Sequence, residues 1–246
     1  MIGTEAARTR FLVSVRSPDE VRTALSGGAD IVDVKEPREG ALGAVALDVT
    51  AAIARAVAGR RPVSATVGDC SLEEAAARVG ATAATGVDYV KIGLFNVSSP
   101  AAFKALEPHA GRGIRLIAVM FADRAPEWTL IRHLAASGFA GVMLDTADKA
   151  QGGLRSHLAP RDLTHFLAEA RSHGLLAGLA GSLQEADARA LLPLRPDVMG
   201  FRGALCGGGR RGDTLESRRV AMMRALIPQN SGVERAAESA VMAGEG

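Results

Sequence analysis

FLVSVRSPDEVRTALSGGADIVDVKEP, residues 11–37, reads as strand, helix and strand in succession. FLVSV is a short run rich in apolar and β-branched side chains, the composition of a strand covered on both faces. Ser17, Pro18, Asp19 and Glu20 then supply an N-cap, an N1 proline and first-turn acids, which answer the unpaired N–H groups of a helix start. Gly28 closes the helix and IVDVK opens the next strand. SVRSPDE has no G-x-G-x-x-G turn, so the unit does not begin an open dinucleotide-binding sheet.

The same unit recurs along the chain. After FLVSV and IVDVK come VSATV from Val63, VDYVKIG from Val87, IRLIAVMF from Ile114, GVMLDT from Gly141, LLAGLAG from Leu175 and DVMGFRG from Asp197. Stretches of helical periodicity lie between them. Ser71 with Glu74 and Ser182 with Glu185 read as capping boxes, Pro100, Pro126 and Pro160 as helix openers, and Gly59, Gly111, Gly138 and Gly174 as helix closers. Eight βα units in 246 residues predict an α/β protein made of a single (β/α)8 TIM barrel over residues 1–227. From 228 to 246 the pattern lapses into an expected flexible C-terminal tail.

Composition narrows the function classes. The formal net charge is +2 and no basic block is interleaved with aromatics, so nucleic acid is not the expected partner. No apolar run reaches membrane-spanning length and no export signal precedes the first strand, so a cytoplasmic protein without membrane association is expected. Cys70 and Cys206 lack metal-type or disulfide spacing, and the five histidines fall on or beside helices. That spacing gives no sign of a metal site, and no cofactor is expected. Apolar helix faces leave a homo-oligomer compatible with the pattern.

Barrel enzymes build their sites at strand C-termini. Lys35, Lys91 and Lys149 all fall at or just past such ends, with Asp33 and Asp145 beside them. Strand alternation puts Asp33 and Lys35 on one face, where polar groups belong only if solvent or a ligand reaches them. Among apolar walls and beside a second cation, Lys35 suits nucleophilic attack on a carbonyl, with Asp33 to orient it. Lys91, followed by Gly93, is the candidate proton acceptor, and Asp145 faces Lys149 across the mouth. The plainer readings are a rim ion pair of Lys35 with Asp33 or Glu36, and a lysine at 91 with its head in water. Glycine-rich loops after strands seven and eight suggest a phosphate cradle: Gly181 and Ser182 in one, Gly203, Gly207 and Gly208 in the other, with Arg202, Arg210 and Arg211 as counter-charges. The expected partner is a small phosphorylated molecule.

Taken together, DIVDVKEPREGALGA, VDYVKIGL, GVMLDTADK, GLAGSL and GFRGALCGGG resemble the (5-formylfuran-3-yl)methyl phosphate synthase family over nearly the whole barrel. The D-x-K-x-P-x-x-G-x-L-G run of residues 33–43 is the most specific part. The resemblance implies a carbon–oxygen lyase joining two glyceraldehyde 3-phosphate molecules, with loss of phosphate and water, into a furan precursor of methanofuran-type one-carbon carriers. It further implies Lys35 as the Schiff-base lysine and Lys91 as the proton acceptor, with Asp33, Asp145 and Lys149 assisting and no metal required. The rival readings are another barrel sugar-phosphate enzyme, a class I aldolase or an epimerase, and a non-catalytic metabolite-binding barrel. The decarboxylase and epimerase group carries D-x-K-x-x-D, but Arg38 stands here where that pattern has its second acid.

Overall fold

Eight parallel strands hydrogen-bond in sequence order and close on themselves, β8 returning to β1, in a computed structural model that describes residues 8–95, 97 and 99–228. They are β1 (Arg10–Val15), β2 (Ile31–Val34), β3 (Val63–Thr66), β4 (Tyr89–Gly93), β5 (Arg115–Phe121), β6 (Gly141–Asp145), β7 (Leu176–Leu179) and β8 (Val198–Phe201). All eight expected strands are present, each within two residues of its anticipated start. The helices between them are α1 (Pro18–Ser26), α2 (Leu47–Val57), α3 (Leu72–Ala83), α4 (Glu107–Ala110), α5 (Leu130–Ala136), α6 (Leu154–His157), α7 (Pro160–Ser172), α8 (Glu185–Leu191) and α9 (Ser217–Leu226). The expected tail lies outside the described residues, apart from Pro228.

Alternation along each strand divides the core in two. Phe11, Val13, Val32, Val34, Val90, Ile92, Val142 and Leu144 point outward and are buried beneath the helices. Removing each such side chain from water is worth roughly 1.5–3 kcal/mol, so the layer between sheet and helices dominates stability. The inward set begins apolar with Leu12, Ile31, Tyr89, Ile117, Met143 and Val198. Toward the strand C-termini it turns polar, with Ser14, Asp33, Ser64, Lys91 and Asp145 all buried. Polar atoms cost free energy inside unless paired, so this half of the barrel is specified by something other than packing.

Local chemistry sets most boundaries. The Ser71–Glu74 capping box forms, with the Ser71 hydroxyl accepting from Glu74 N and the Glu74 carboxylate accepting from Ser71 N. Pro160 opens α7 and Pro100 opens a 3-10 segment (Pro100–Ala105). Three expectations shift. Ser17 makes no side-chain cap, and Glu20 is buried in an ion pair instead of lying free at a helix start. The box anticipated at Ser182 and Glu185 forms two residues later, where the Asp187 carboxylate accepts from Gln184 N, because Ser182 adopts a left-handed φ of 52° and belongs to the preceding turn. Pro126 does not open a helix; α5 begins only at Leu130, after a segment that runs from a 3-10 turn at Ala122–Arg124.

Candidate active site

The register of β1, β2 and β3 sets Ser14, Asp33 and Ser64 side by side. Asp33 consequently accepts hydrogen bonds from the Ser14 hydroxyl at 2.8 Å and the Ser64 hydroxyl at 2.6 Å, and pairs with Lys91 Nζ at 2.5 Å. Its side chain is 1% exposed and that of Lys91 6%. Burial opposes ionisation of Asp33, yet Lys91 and the Ser64 hydroxyl hold its carboxyl below the ordinary 3.8. Burial also pushes the Lys91 ammonium below the ordinary 10.5, although Asp33 pulls the other way and Lys35 adds to the push. The result is an amine at the cavity floor that gives up its proton more readily than a free lysine.

A second centre lies at the rim, where Asp145 ends β6. One carboxylate oxygen faces Lys35 Nζ at 3.2 Å; the other accepts from Lys149 Nζ and from Thr146 N. Lys149 donates in addition to the Thr146 hydroxyl at 2.9 Å. Despite burial, Lys35 and Lys149 hold the Asp145 carboxyl far below the usual range. Burial lowers the Lys149 pKa in spite of Asp145, helped by the charges of Lys35 and Arg211. Lys35 therefore pairs with Asp145 and neither with Asp33, which was expected to orient it, nor with Glu36. Of its three donor positions only one has a protein acceptor among the described residues.

Both centres open into one cavity of about 400 Å³. All five catalytic candidates, Asp33, Lys35, Lys91, Asp145 and Lys149, line it, and so do Gly181, Ser182, Arg202 and Gly203. Gly207 and Gly208 do not; Gly209 and Arg211 take that stretch of wall, and Gly207 N is occupied by the Thr214 carbonyl. The amides of Gly181, Ser182, Leu183 and Gly203 have no protein acceptor among the described residues. Gly181 has φ 105°, and a Cβ there would stand 3.2 Å from Thr146 N and 3.4 Å from the Asp145 carbonyl carbon, so glycine alone lets this turn lie against the end of β6. Successive free N–H groups in a turn can form an anion-binding concavity. Among the lining charges, Lys35, Lys91, Lys149 and Arg211 face only Asp33 and Asp145, since Arg202 is neutralised by Glu20. The surplus is positive.

The loop between β2 and α2 is held over this cavity by a group the sequence did not advertise. Asp69, after β3, accepts from Ala41 N at 2.8 Å and Leu42 N at 2.6 Å, and Thr66 donates to the Gly43 carbonyl. A Cβ at Gly40 would lie 2.3 Å from the Asp69 carboxylate, and one at Gly43 would lie 2.1 Å from the Glu36 carbonyl oxygen. The two glycines of the D-x-K-x-P-x-x-G-x-L-G run are thus demanded by close approach, and Leu42 between them walls the cavity. Ser14, Ser64, Thr146 and Asp69 carry no motif of their own. Only the pairing register could have located the two serines.

The family model for 4-HFC-P synthase matches residues 11–224. A putative (5-formylfuran-3-yl)methyl phosphate synthase of Methylorubrum extorquens is 43% identical over 221 residues, covering 90% of this chain and 92% of that protein. The (5-formylfuran-3-yl)methyl phosphate synthase of Methanopyrus kandleri is 37% identical over 220 residues, covering 83% and 92%. Among solved structures, phosphoribosyl anthranilate isomerase from Thermus thermophilus superposes with a TM-score of 0.63 at 15% identity, covering 89% of this chain and 98% of that one. A 3-hexulose-6-phosphate synthase gives 0.59 at 15% identity, covering 89% and 100%. Likeness at that level of identity extends to the barrel alone.

Proposed function

This chain belongs to the 4-HFC-P synthase family, and on that premise we propose that it condenses two molecules of glyceraldehyde 3-phosphate into (5-formylfuran-3-yl)methyl phosphate, releasing phosphate and water. The product would serve methanofuran-type cofactor biosynthesis. The observation that carries the reading is the convergence of three lysines and two buried carboxylates on one cavity beside free backbone amides.

Each group has a role that its surroundings favour. Lys35 is the nucleophile: of the three lysines it is the most loosely held among the described residues, by one 3.2 Å contact with Asp145, whereas Lys149 is held by Asp145 and Thr146 and Lys91 by Asp33 at 2.5 Å. Its attack on the triose aldehyde yields an imine, which draws electrons from the neighbouring carbon. Lys91, with its lowered pKa, accepts the proton from that carbon, and Asp33 stabilises the ammonium so formed. The electron pair left behind expels phosphate from the β-carbon, and the resulting three-carbon fragment joins the second triose. Asp145 lies between Lys35 and Lys149 and, held ionised, orients the nucleophile and the second amine toward one another. The amides of Gly181, Ser182, Leu183 and Gly203, with the cationic surplus, receive phosphate.

Incubation with glyceraldehyde 3-phosphate alone should produce a furan-aldehyde chromophore and inorganic phosphate in step. An epimerase or a class I aldolase yields neither, so a product mixture of isomerised or condensed sugar phosphates with no phosphate release would contradict the proposal.

A further inference from the structure

Arg202 follows β8 at the cavity mouth, where a guanidinium would be expected to meet an anion directly. Its five N–H donors are all taken by protein. Nε donates to the Arg211 carbonyl at 3.0 Å; Nη1 donates to the Ser14 carbonyl at 3.0 Å and to Glu20 Oε2 at 2.6 Å; Nη2 donates to Glu20 Oε1 at 3.0 Å and to the Asp213 carbonyl at 2.7 Å. Glu20 is as fully engaged, accepting also from Arg16 N at 2.9 Å and Leu215 N at 3.2 Å while only 3% exposed. Burial opposes its ionisation, but Arg202 and these amides hold its carboxyl below the ordinary 4.5.

We propose that Glu20 and Arg202 are positioning residues that hold the loop after β8 so that Arg211, not Arg202, is the cation meeting the substrate's phosphate. Two of the five acceptors of Arg202 are the carbonyls of Arg211 and Asp213, on either side of Gly212, so the fork grips the segment that presents Arg211. That segment follows Gly207, Gly208 and Gly209, residues that give a loop little rigidity of its own. Arg211 lines the cavity, and of its donors only Nη1 has a protein acceptor among the described residues, the Gly40 carbonyl at 3.4 Å. Bidentate pairing of a carboxylate with a guanidinium is the geometry that fixes orientation as well as charge. An ordered arginine with free donors is therefore aimed at the cavity by one whose donors are spent.

This inference rests on the phosphate cradle of the proposed function, and inorganic phosphate alone is the probe that separates the two. Phosphate is titrated calorimetrically into the full-length protein and into the folded variants Arg211→Gln, Arg202→Lys, Glu20→Gln and the Arg202→Lys/Arg211→Gln pair. Loss of Arg211 should weaken phosphate binding about tenfold or more. Arg202→Lys and Glu20→Gln should weaken it to a similar extent without touching the anion, and the double variant should bind no more weakly than Arg211→Gln, since both changes remove one interaction. A purely structural pair would lower the melting temperature and leave the affinity of the folded protein unchanged. Wild-type affinity in Arg202→Lys or in Arg211→Gln, or losses that multiply in the double variant, would overturn the inference while leaving the cradle standing. Wild-type protein that takes up no phosphate would overturn the cradle and the inference together. If Arg202→Lys does not fold, Glu20→Gln, which keeps the shape but removes the charge and turns one acceptor oxygen into a donor, carries the same expectation.

Discussion

The floor and the rim of the cavity each hold a buried aspartate, but they differ in how tightly it is tied. At the floor Asp33 meets one lysine and two hydroxyls supplied by neighbouring strands. At the rim Asp145 is divided between two lysines, one of them at 3.2 Å and one on the loop beyond β6. Strands supply precision and loops supply reach, which suits the proposed base, Lys91, to the floor and the proposed nucleophile, Lys35, to the rim.

The contrast can be broken most severely at Lys91. Lys91→Met should lower turnover by about 10²–10⁴-fold and cost about 3–5 kcal/mol of stability, because it removes the proposed base and leaves Asp33 buried without its counter-charge. Lys149→Met should also reduce turnover, but with a smaller drop in melting temperature, since Lys35 still faces Asp145. Equal losses of stability in the two variants would erase the distinction. The pH profile sharpens it further. If neutral Lys91 is the base, activity rises as it deprotonates, and the midpoint of that limb should lie below 10.5. Asp33 opposes the lowering, so Asp33→Asn should move the limb to still lower pH; a move upward would contradict the assignment.

Acid titration probes both aspartates. Their folded pKa values lie below 3.8, so the stability they contribute is fully present above that value and is lost as pH falls through the folded ones. Asp145→Asn should accordingly flatten the acid limb of a melting-temperature profile. Lys91 runs in the same direction in an alkaline window: its lowered folded pKa means the unfolded chain binds the extra proton, so the penalty of burying its ammonium is relieved as pH rises from the folded pKa to about 10.5. The smallest effect is expected at Ser64→Ala, where loss of one hydrogen bond to a charged, buried group should cost about 1.5–3 kcal/mol in chemical denaturation and leave Lys35 in place.

The barrel was legible because eight apolar runs, helix-starting Ser and Pro, and helix-ending Gly are local signals. Lys35, Lys91, Lys149, Asp33 and Asp145 were legible for a related reason: charge at a strand end stands out against an apolar run. Their partners were not. Nothing in Asp33 and Lys35, two residues apart, announces that each pairs across the barrel, Asp33 with Lys91 and Lys35 with Asp145. Ser14 and Ser64 become ligands of Asp33 only through strand register, a long-range property. Arg202 stood out as a loop arginine among glycines, but its partner did not: Glu20, which fills its fork, lies 182 residues away.

The central claim is that Lys35 forms a covalent imine with the triose. Borohydride added during turnover of glyceraldehyde 3-phosphate, followed by peptide mass spectrometry, tests it directly. The account predicts a reduced three-carbon or six-carbon adduct on Lys35 that is lost in Lys35→Ala together with turnover; an adduct confined to Lys91 or Lys149, or a fully active Lys35→Ala enzyme, would contradict it.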